Sequence, residues 1–220
     1  SEREEQFLKV LLMYDLIIKN GLIYDGKGGR PFKADIAILE EKIVSVGSIK
    51  GESKKTIDAS GRIVTPGFVD IHTHYDGQVT WDPYLRPSTY HGVTTVVMGN
   101  CGVGFSPCKP DQRDWLIGLM EGVEDIPGTA LHEGIDWEWE SFPEYLDALE
   151  KKPLAIDVGT QIPHGAVRAY VMGERGINHE EATEEEIKKM KQIVKEAIEA
   201  GAYGFSTSRT EKHNDVNLSL

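Results

Sequence analysis

The chain has 220 residues, 40% of them hydrophobic, which is enough for one large domain or two small ones with a buried core. Asp and Glu total 36 and Lys and Arg total 24, and the net charge of −12 argues against a nucleic-acid partner because contacts to phosphate need basic side chains. Two cysteines are too few for a disulfide framework and no apolar run reaches ~20 residues, so we expect a cytoplasmic protein without membrane contact.

The N-terminal part of the chain has the pattern of short strands. Residues 1–13 do not fit this pattern, and we expect them to be an extension that precedes the first domain. Over residues 14–66, runs of ~4–7 residues rich in Ile and Val alternate with Gly, Lys and Ser. The pair Asn20-Gly21 predicts a hairpin turn between two of these runs. Residues 14–66 are therefore predicted to form a small subdomain of the β-sandwich or β-barrel type.

From residue 67 to 220 the pattern changes to strands that alternate with helices. The predicted strands are four apolar runs, GFVDIHTH, GVTTVVMGN, LAIDVGT and AYGFSTS. Nearly continuous apolar strands separated by amphipathic helices predict a parallel sheet covered on both faces. Four β/α units are half of an eight-unit barrel. The predicted fold class is therefore α/β, a partial TIM-type barrel (the first four β/α units, residues 67–220) preceded by a small β-sandwich subdomain.

Two of the predicted helices begin at capping boxes. Ser141 with Glu144 starts one and Thr183 with Glu186 starts another, because in each pair the two residues satisfy each other's free backbone N–H groups. Gly201 is placed to end the second helix. The apolar residues of that helix fall on one stripe, which we expect to face the core: Ile187, Met190, Val194, Ala197 and Ile198.

Metal-ligand side chains alternate along the first strand of the second domain. Asp70, His72 and His74 are spaced two residues apart and share one face of an extended chain. At the carboxyl end of a parallel strand, two such histidines can bind one zinc ion. His72 and His74 are thus predicted metal ligands, with a hydrogen-bonded histidine pair as the alternative. Asp70 is predicted to support the ligands by hydrogen bonding, with pairing to a buried cation as the alternative.

Cys101 follows the second strand in MGNCGVG, where glycines on both sides allow the backbone to approach a site closely. Its thiolate is a candidate third metal ligand, since zinc favours mixed nitrogen and sulfur ligands. The spacing leaves two alternatives open, a small buried hydrophobic residue and a disulfide with Cys108.

His164 and Arg168 follow the third strand in TQIPHGAVR. At that end of the sheet an arginine can hold a carboxylate through two parallel hydrogen bonds. We therefore interpret both as candidate substrate-binding residues, with a helix-start histidine and a surface arginine as the alternative. No catalytic residue is assigned.

With PGFVDIHTH and GVTTVVMGNCG the sequence resembles the amidohydrolase superfamily and, within it, the N-acyl-D-amino-acid deacylase (D-aminoacylase) group. DLIIKNGLIYDGKG and IPHGAVRAYVMGERG extend the resemblance. It implies zinc in one or two sites, with His72 and His74 at one metal position and Cys101 as a ligand at the more tightly occupied one. It also implies hydrolysis of a small-molecule N-acyl-D-amino acid to a carboxylate and a free D-amino acid.

The same resemblance implies an eight-unit barrel in which two further histidines and a catalytic aspartate lie on later strands. We therefore expect this chain to be an N-terminal fragment without its general base, and open sheet edges would favour a homo-oligomer. One alternative is a cyclic-amide hydrolase of the hydantoinase or dihydroorotase type, but its bridging lysine has no counterpart in YGFSTSRT. The other alternative is a non-catalytic metal-binding fragment.

Overall fold

The computed structural model describes residues 13–124, 126–178 and 180–208, and the chain divides into two compact units between Pro66 and Gly67. Of the expected N-terminal extension, residues 1–12 lie outside the described residues.

The first unit contains one five-stranded sheet. Its strands are β1 (Tyr14–Ile23), β2 (Phe32–Leu39), β3 (Lys42–Gly47), β4 (Ser53–Asp58) and β5 (Ile63–Val64). The order is β3-β2-β1-β4, and β5 pairs with the end of β1. β2 is antiparallel to β1 and β3, whereas β4 and β5 run parallel to β1. Ile17, Ile36 and Ala37 are buried on the central strands.

The predicted hairpin at Asn20-Gly21 is wrong, because β1 continues through both residues. The pairing of β1 with β2 shifts register between Ile18 and Gly21, which makes the pair a β-bulge. Asn20 has a φ of 63°, and its N–H donates to Asp35 Oδ1 at 2.9 Å. The chain reverses instead at residues 40–41, between β2 and β3, where both φ angles are positive.

The second unit is a mixed α/β structure. Its strands are β6 (Phe68–Asp70), β7 (Val93–Met98), β8 (Asp157–Thr160), β9 (Ile162–Pro163) and β10 (Phe205–Ser206). Its helices are α1 (Arg113–Glu124), α2 (Gly128–Gly134), α3 (Phe142–Glu150), α4 (His164–Met172), α5 (Glu174–Ile177) and α6 (Glu184–Ala200). β6, β7 and β8 form a parallel sheet, and β9 pairs in parallel with β10. The described strands do not close on themselves, so the partial barrel stays a prediction.

Both predicted capping boxes are confirmed. Ser141 Oγ accepts from the Glu144 N–H at the start of α3, and the Thr183–Glu186 pair does the same at α6. Gly201 follows α6 with a φ of 122°, and its N–H donates to the carbonyl oxygens of Ala197 and Ile198. The stripe expected to face the core is only partly buried: Ala197 is inaccessible, whereas Ile187 and Ile198 are 39% and 45% exposed.

The core of the second unit lies between its sheets and helices. Trp139 packs against Tyr145 of α3 with ring centroids 4.8 Å apart and planes tilted by 56°, and its Nε1–H donates to the Phe105 carbonyl at 2.8 Å. Met98 and Ile162 bring the strand side chains into the same cluster. No helix in the described parts of the chain is long and apolar enough to cross a membrane.

Candidate metal centre

β6 is shorter than the sequence pattern predicts. It ends at Asp70, so His72 and His74 lie in the segment that follows it and not on the strand itself. Thr73, between them, holds this segment against β7, because its N–H and Oγ1–H both donate to the Val97 carbonyl at 2.9 Å. The two imidazole centroids are 5.5 Å apart with the rings tilted by 58°. A bond at the intervening residue, and not strand alternation alone, thus sets the histidine positions.

Cys101 lies in the loop that follows β7, where the backbone turns through the left-handed region. Gly99, Cys101 and Gly102 have φ angles of 74°, 54° and 73°. Glycine adopts this conformation freely, but a cysteine does so at a cost of roughly 1–2 kcal/mol. A Cβ on Gly99 would lie 2.0 Å from the carbonyl oxygen of Gln161, between β8 and β9, so the loop also passes very close to the backbone of that segment.

The loop and the histidine segment meet at their side chains. His72 Nε2 lies 3.2 Å from Cys101 Sγ, and one ligand atom from each of His72, His74 and Cys101 lies within 4.8 Å of the other two. His72 is exposed, whereas His74 and Cys101 are half-buried. Two imidazole nitrogens and one sulfur match the mixed ligands that zinc prefers, so the residues present fit this ion.

The two cysteines have different environments. Cys101 and Cys108 are not joined by a disulfide in the described structure, so that alternative is wrong. Cys108 is inaccessible to solvent, and burial raises the pKa of its thiol to about 12. Its S–H donates to the Lys109 carbonyl at 3.3 Å. Cys108 is thus the small buried residue of the pair, and Cys101 is the one placed beside an imidazole.

Asp70 lies at the end of β6, beside the cluster. Its Oδ1 accepts a hydrogen bond from the His72 backbone N–H at 3.1 Å. The carboxylate therefore contacts the main chain of a candidate ligand and helps to fix where the chain leaves the strand.

His164 and Arg168 lie one turn apart on α4 and line a cavity of about 710 Å³ between α4, α6 and β10. They are only 5% and 6% exposed, so the surface-arginine alternative is wrong. Burial, reinforced by nearby Arg168, lowers the pKa of His164, and the ring Nδ1 lies 3.2 Å from Thr207 Oγ1. Arg168 donates to the Glu180 carbonyl, while its buried Nε has no hydrogen-bond partner among the described residues.

The described lining of this cavity includes none of His72, His74 and Cys101. A hydrogen bond from the Gly165 N–H to the Gly102 carbonyl at 2.8 Å joins the first turn of α4 to the cysteine loop. The structure therefore brings the three predicted metal ligands together and leaves the two predicted substrate-binding residues in a neighbouring cavity.

Three polar residues around the cluster escaped the sequence analysis. Asn100, Gln161 and Ser206 hydrogen-bond to the cysteine loop or to the histidine segment. The one sequence feature that could have indicated them is a polar residue at or just beyond the end of an apolar strand.

Comparisons with known proteins find a matching family and several similar sequences. The amidohydrolase family matches residues 55–218. The D-aminoacylase of Alcaligenes xylosoxydans xylosoxydans is 34% identical over 195 residues, which are 88% of this chain and 37% of that protein. An allantoinase of Salmonella paratyphi B (strain ATCC BAA-1250 / SPB7) is 40% identical over 91 residues, 39% of this chain and 20% of that protein.

Among solved structures, N-acyl-D-glutamate deacylase from Bordetella bronchiseptica, complexed with zinc and a phosphonate inhibitor, has a similar fold. The TM-score is 0.75 at 31% identity, covering 90% of this chain and 39% of the other. The chain thus spans little more than a third of the length of the deacylases that it matches.

Proposed function

Because the chain belongs to the amidohydrolase family, we propose that it forms part of a metal-dependent hydrolase that cleaves the amide bond of N-acyl-D-amino acids. The observation that carries the proposal is the convergence of His72, His74 and Cys101 within 4.8 Å. The reaction class is supported by the deacylases among the relatives, and the choice of zinc by the ligand atoms and by the zinc complex of one relative.

His72, His74 and Cys101 would hold the zinc ion, in one or two sites. When bound at such a site, zinc polarises an amide carbonyl and acidifies water. The chain's own contribution is to hold its ligands in place: Asp70 accepts from the His72 N–H, and the Thr73 bonds to Val97 fix the segment that carries both imidazoles.

We propose that His164 and Arg168 contact the carboxylate of the substrate. A buried guanidinium is costly unless an anion or enough acceptors surround it, and the Arg168 Nε has no described acceptor. Burial keeps His164 largely neutral near pH 7, so it acts as a hydrogen-bonding group and not as a second cation. The Gly165–Gly102 hydrogen bond supports a link between this cavity and the metal centre.

No residue of the chain is assigned as the general base. We propose that these 220 residues bind the metal and contact the substrate but do not by themselves complete the hydrolysis. This follows from the resemblance, in which a later strand supplies the aspartate that takes and delivers the proton.

A cyclic-amide hydrolase is the second candidate, and the allantoinase similarity favours it. A lysine on the fourth strand, serving as the bridging metal ligand, would distinguish such an enzyme. The described segment around β10, residues 202–208, contains no lysine, which supports the deacylase assignment over this one.

Metal binding is the direct test. We expect about one equivalent of zinc or more in the intact protein, lost in His72→Ala and Cys101→Ser and retained in the control His132→Ala, whose ring lies on the exposed side of α2. Equal zinc content in all four proteins would refute the assigned ligands.

The substrate class is tested on the cobalt-substituted protein. An N-acetyl-D-amino acid should perturb the visible spectrum at lower concentration than its L enantiomer or a hydantoin, and Arg168→Met should weaken this response more than Lys191→Met at the same cavity. A stronger response to the hydantoin would favour the cyclic-amide hydrolase. Release of free amino acid by the chain alone would show that the general base is present.

A further inference from the structure

One side-chain amide joins the two halves of the candidate metal centre. Asn100 Nδ2 donates to the Thr73 carbonyl at 3.1 Å and to the Val97 carbonyl at 2.9 Å. Thr73 lies between the two candidate histidine ligands, and Asn100 immediately precedes Cys101. A single buried residue, 6% exposed, therefore ties the backbone that carries both imidazoles to the loop that carries the thiol.

The orientation of this amide is set from the next strand segment. Gln161, between β8 and β9, donates from Nε2 to Asn100 Oδ1 at 2.7 Å, and its own N–H donates to the Met98 carbonyl at 2.9 Å. With its oxygen engaged by Gln161, Asn100 presents its NH₂ group to the Thr73 carbonyl. Three successive chain segments thus meet at one amide.

Ser206 of β10 holds the cysteine loop from the other side. Its Oγ accepts from the Gly102 N–H at 3.0 Å and donates to the Gly99 carbonyl. The two bonds flank Cys101 along the chain, one on each side. Ser206 is 8% exposed, so water does not readily replace either bond.

These contacts matter because the loop backbone is not held by its own preference. Cys101 has a φ of 54°, which a non-glycine residue adopts only where the surroundings impose it. Gly99 and Gly102 lie at positive φ on either side of the Asn100-Cys101 pair. Because glycine adopts many backbone conformations, the loop can rearrange once the hydrogen bonds of Asn100 and Ser206 are removed.

We propose that Asn100 and Ser206 are positioning residues that set the Cys101 thiol against the two imidazoles. The inference rests on the proposed metal centre and deepens it. Neither side chain binds the metal itself. Both act through the backbone of the residues that do, and outer partners of this kind change metal affinity by about 10–100-fold.

The test compares each positioning residue with a buried polar residue elsewhere. Asn100→Ala is matched with Gln112→Ala, because Gln112 is also 6% exposed and also bonds a buried carbonyl, that of Ala169. Ser206→Ala is matched with Ser106→Ala, which removes another buried hydroxyl. Zinc affinity is measured by chelator competition. The second measurement is the cobalt–thiolate charge-transfer band of the cobalt-substituted proteins. A general loss of stability would not alter this band as long as the protein is folded.

We expect Asn100→Ala and Ser206→Ala to lower zinc affinity by about tenfold or more and to weaken or shift the charge-transfer band, with both controls unchanged. If Asn100→Ala does not fold, Gln161→Met frees the amide without removing it and is expected to cause a smaller change of the same kind. Unchanged affinity and band in the folded variants would overturn the inference alone. Failure of the unsubstituted protein to bind cobalt would overturn the metal centre and this inference together.

Discussion

His72 Nε2 lies 3.2 Å from Cys101 Sγ, although the two residues are 29 positions apart in the chain. The contact forms because β6 and β7 are neighbours and run parallel, so that the segments leaving their carboxyl ends meet at the same edge of the sheet. Together with a ligand atom of His74, this thiol and imidazole form a set of three candidate ligand atoms that lie within 4.8 Å of one another.

The two cysteines are expected to differ sharply in reactivity towards iodoacetamide. Cys101 is half-buried in a loop, whereas Cys108 is inaccessible and burial raises the pKa of its thiol to about 12, which leaves almost no thiolate near pH 7. The native metal-free protein should take up one label, on Cys101, and zinc should slow this reaction. Peptide mapping by mass spectrometry identifies the site, with urea-unfolded protein as the control that labels both. Comparable labelling of Cys108 in the native protein would contradict its burial.

Gly99→Ala is expected to destabilise the protein by more than about 2 kcal/mol. Gly99 has a φ of 74°, and the new methyl group would lie 2.0 Å from the Gln161 carbonyl oxygen, so either the loop or the segment between β8 and β9 must move. Gly118→Ala is the control, because Gly118 lies within α1 with nothing near its Cβ position, and there the change should stabilise by about 0.5–1 kcal/mol. Urea unfolding of both variants measures the difference, and equal effects would show that the close approach at Gly99 is not a constraint.

The metal-ligand residue types could be predicted from the sequence, but not what holds them. His-x-His after an apolar run and a glycine-flanked cysteine after the next run are local patterns, and parallel strands bring their ends together. The network at Asn100 depends on Gln161, which lies across the sheet at a position that no local pattern specifies. The histidine positions also depend on Thr73, because β6 stops at Asp70 and strand alternation no longer applies.

The wrong prediction of a hairpin in the first unit has a similar cause. Asn20-Gly21 suits any backbone with a positive φ, and a hairpin turn and a bulge both provide one. Pairing with β2 and the bond to Asp35 decide between them, and neither partner is near in sequence. The capping boxes of α3 and α6 were predictable because a Ser or Thr and a Glu three residues apart contain the whole interaction.

Part of the stability is expected to depend on the neutral state of His164. Burial, reinforced by Arg168, holds the pKa of this ring below its ordinary value of 6.5, so in the range between the two values the unfolded chain binds a proton that the folded protein does not. The neutral ring's contribution to the free energy of unfolding is thus full above pH ~6.5 and is lost as the pH falls towards the lowered value. Urea unfolding with EDTA from pH ~8 to ~5 should show the difference between the unsubstituted protein and His164→Asn shrinking as the pH falls. A difference that stays constant across this range would contradict the shift.

Tyr145→Phe is expected to cost about 1–3 kcal/mol of unfolding free energy, because it removes the donor to a buried carbonyl. The Tyr145 hydroxyl, on a side chain 2% exposed, donates at 2.9 Å to the main-chain oxygen of Asp76, just beyond the segment that carries both histidines. Burial, reinforced by the Asp76 carboxylate, raises the pKa of this hydroxyl, so it stays a donor over the whole working pH range. Tyr170→Phe is the matched control, since its hydroxyl donates to Glu140 at an exposed site, and its effect should stay within about 0.5 kcal/mol. The same pair of variants should differ in zinc affinity. Because the hydrogen bond from Tyr145 anchors the end of the histidine segment, zinc affinity should fall in Tyr145→Phe and not in Tyr170→Phe. Equal unfolding free energies and equal zinc affinities in the two variants would mean that α3 does not hold this segment.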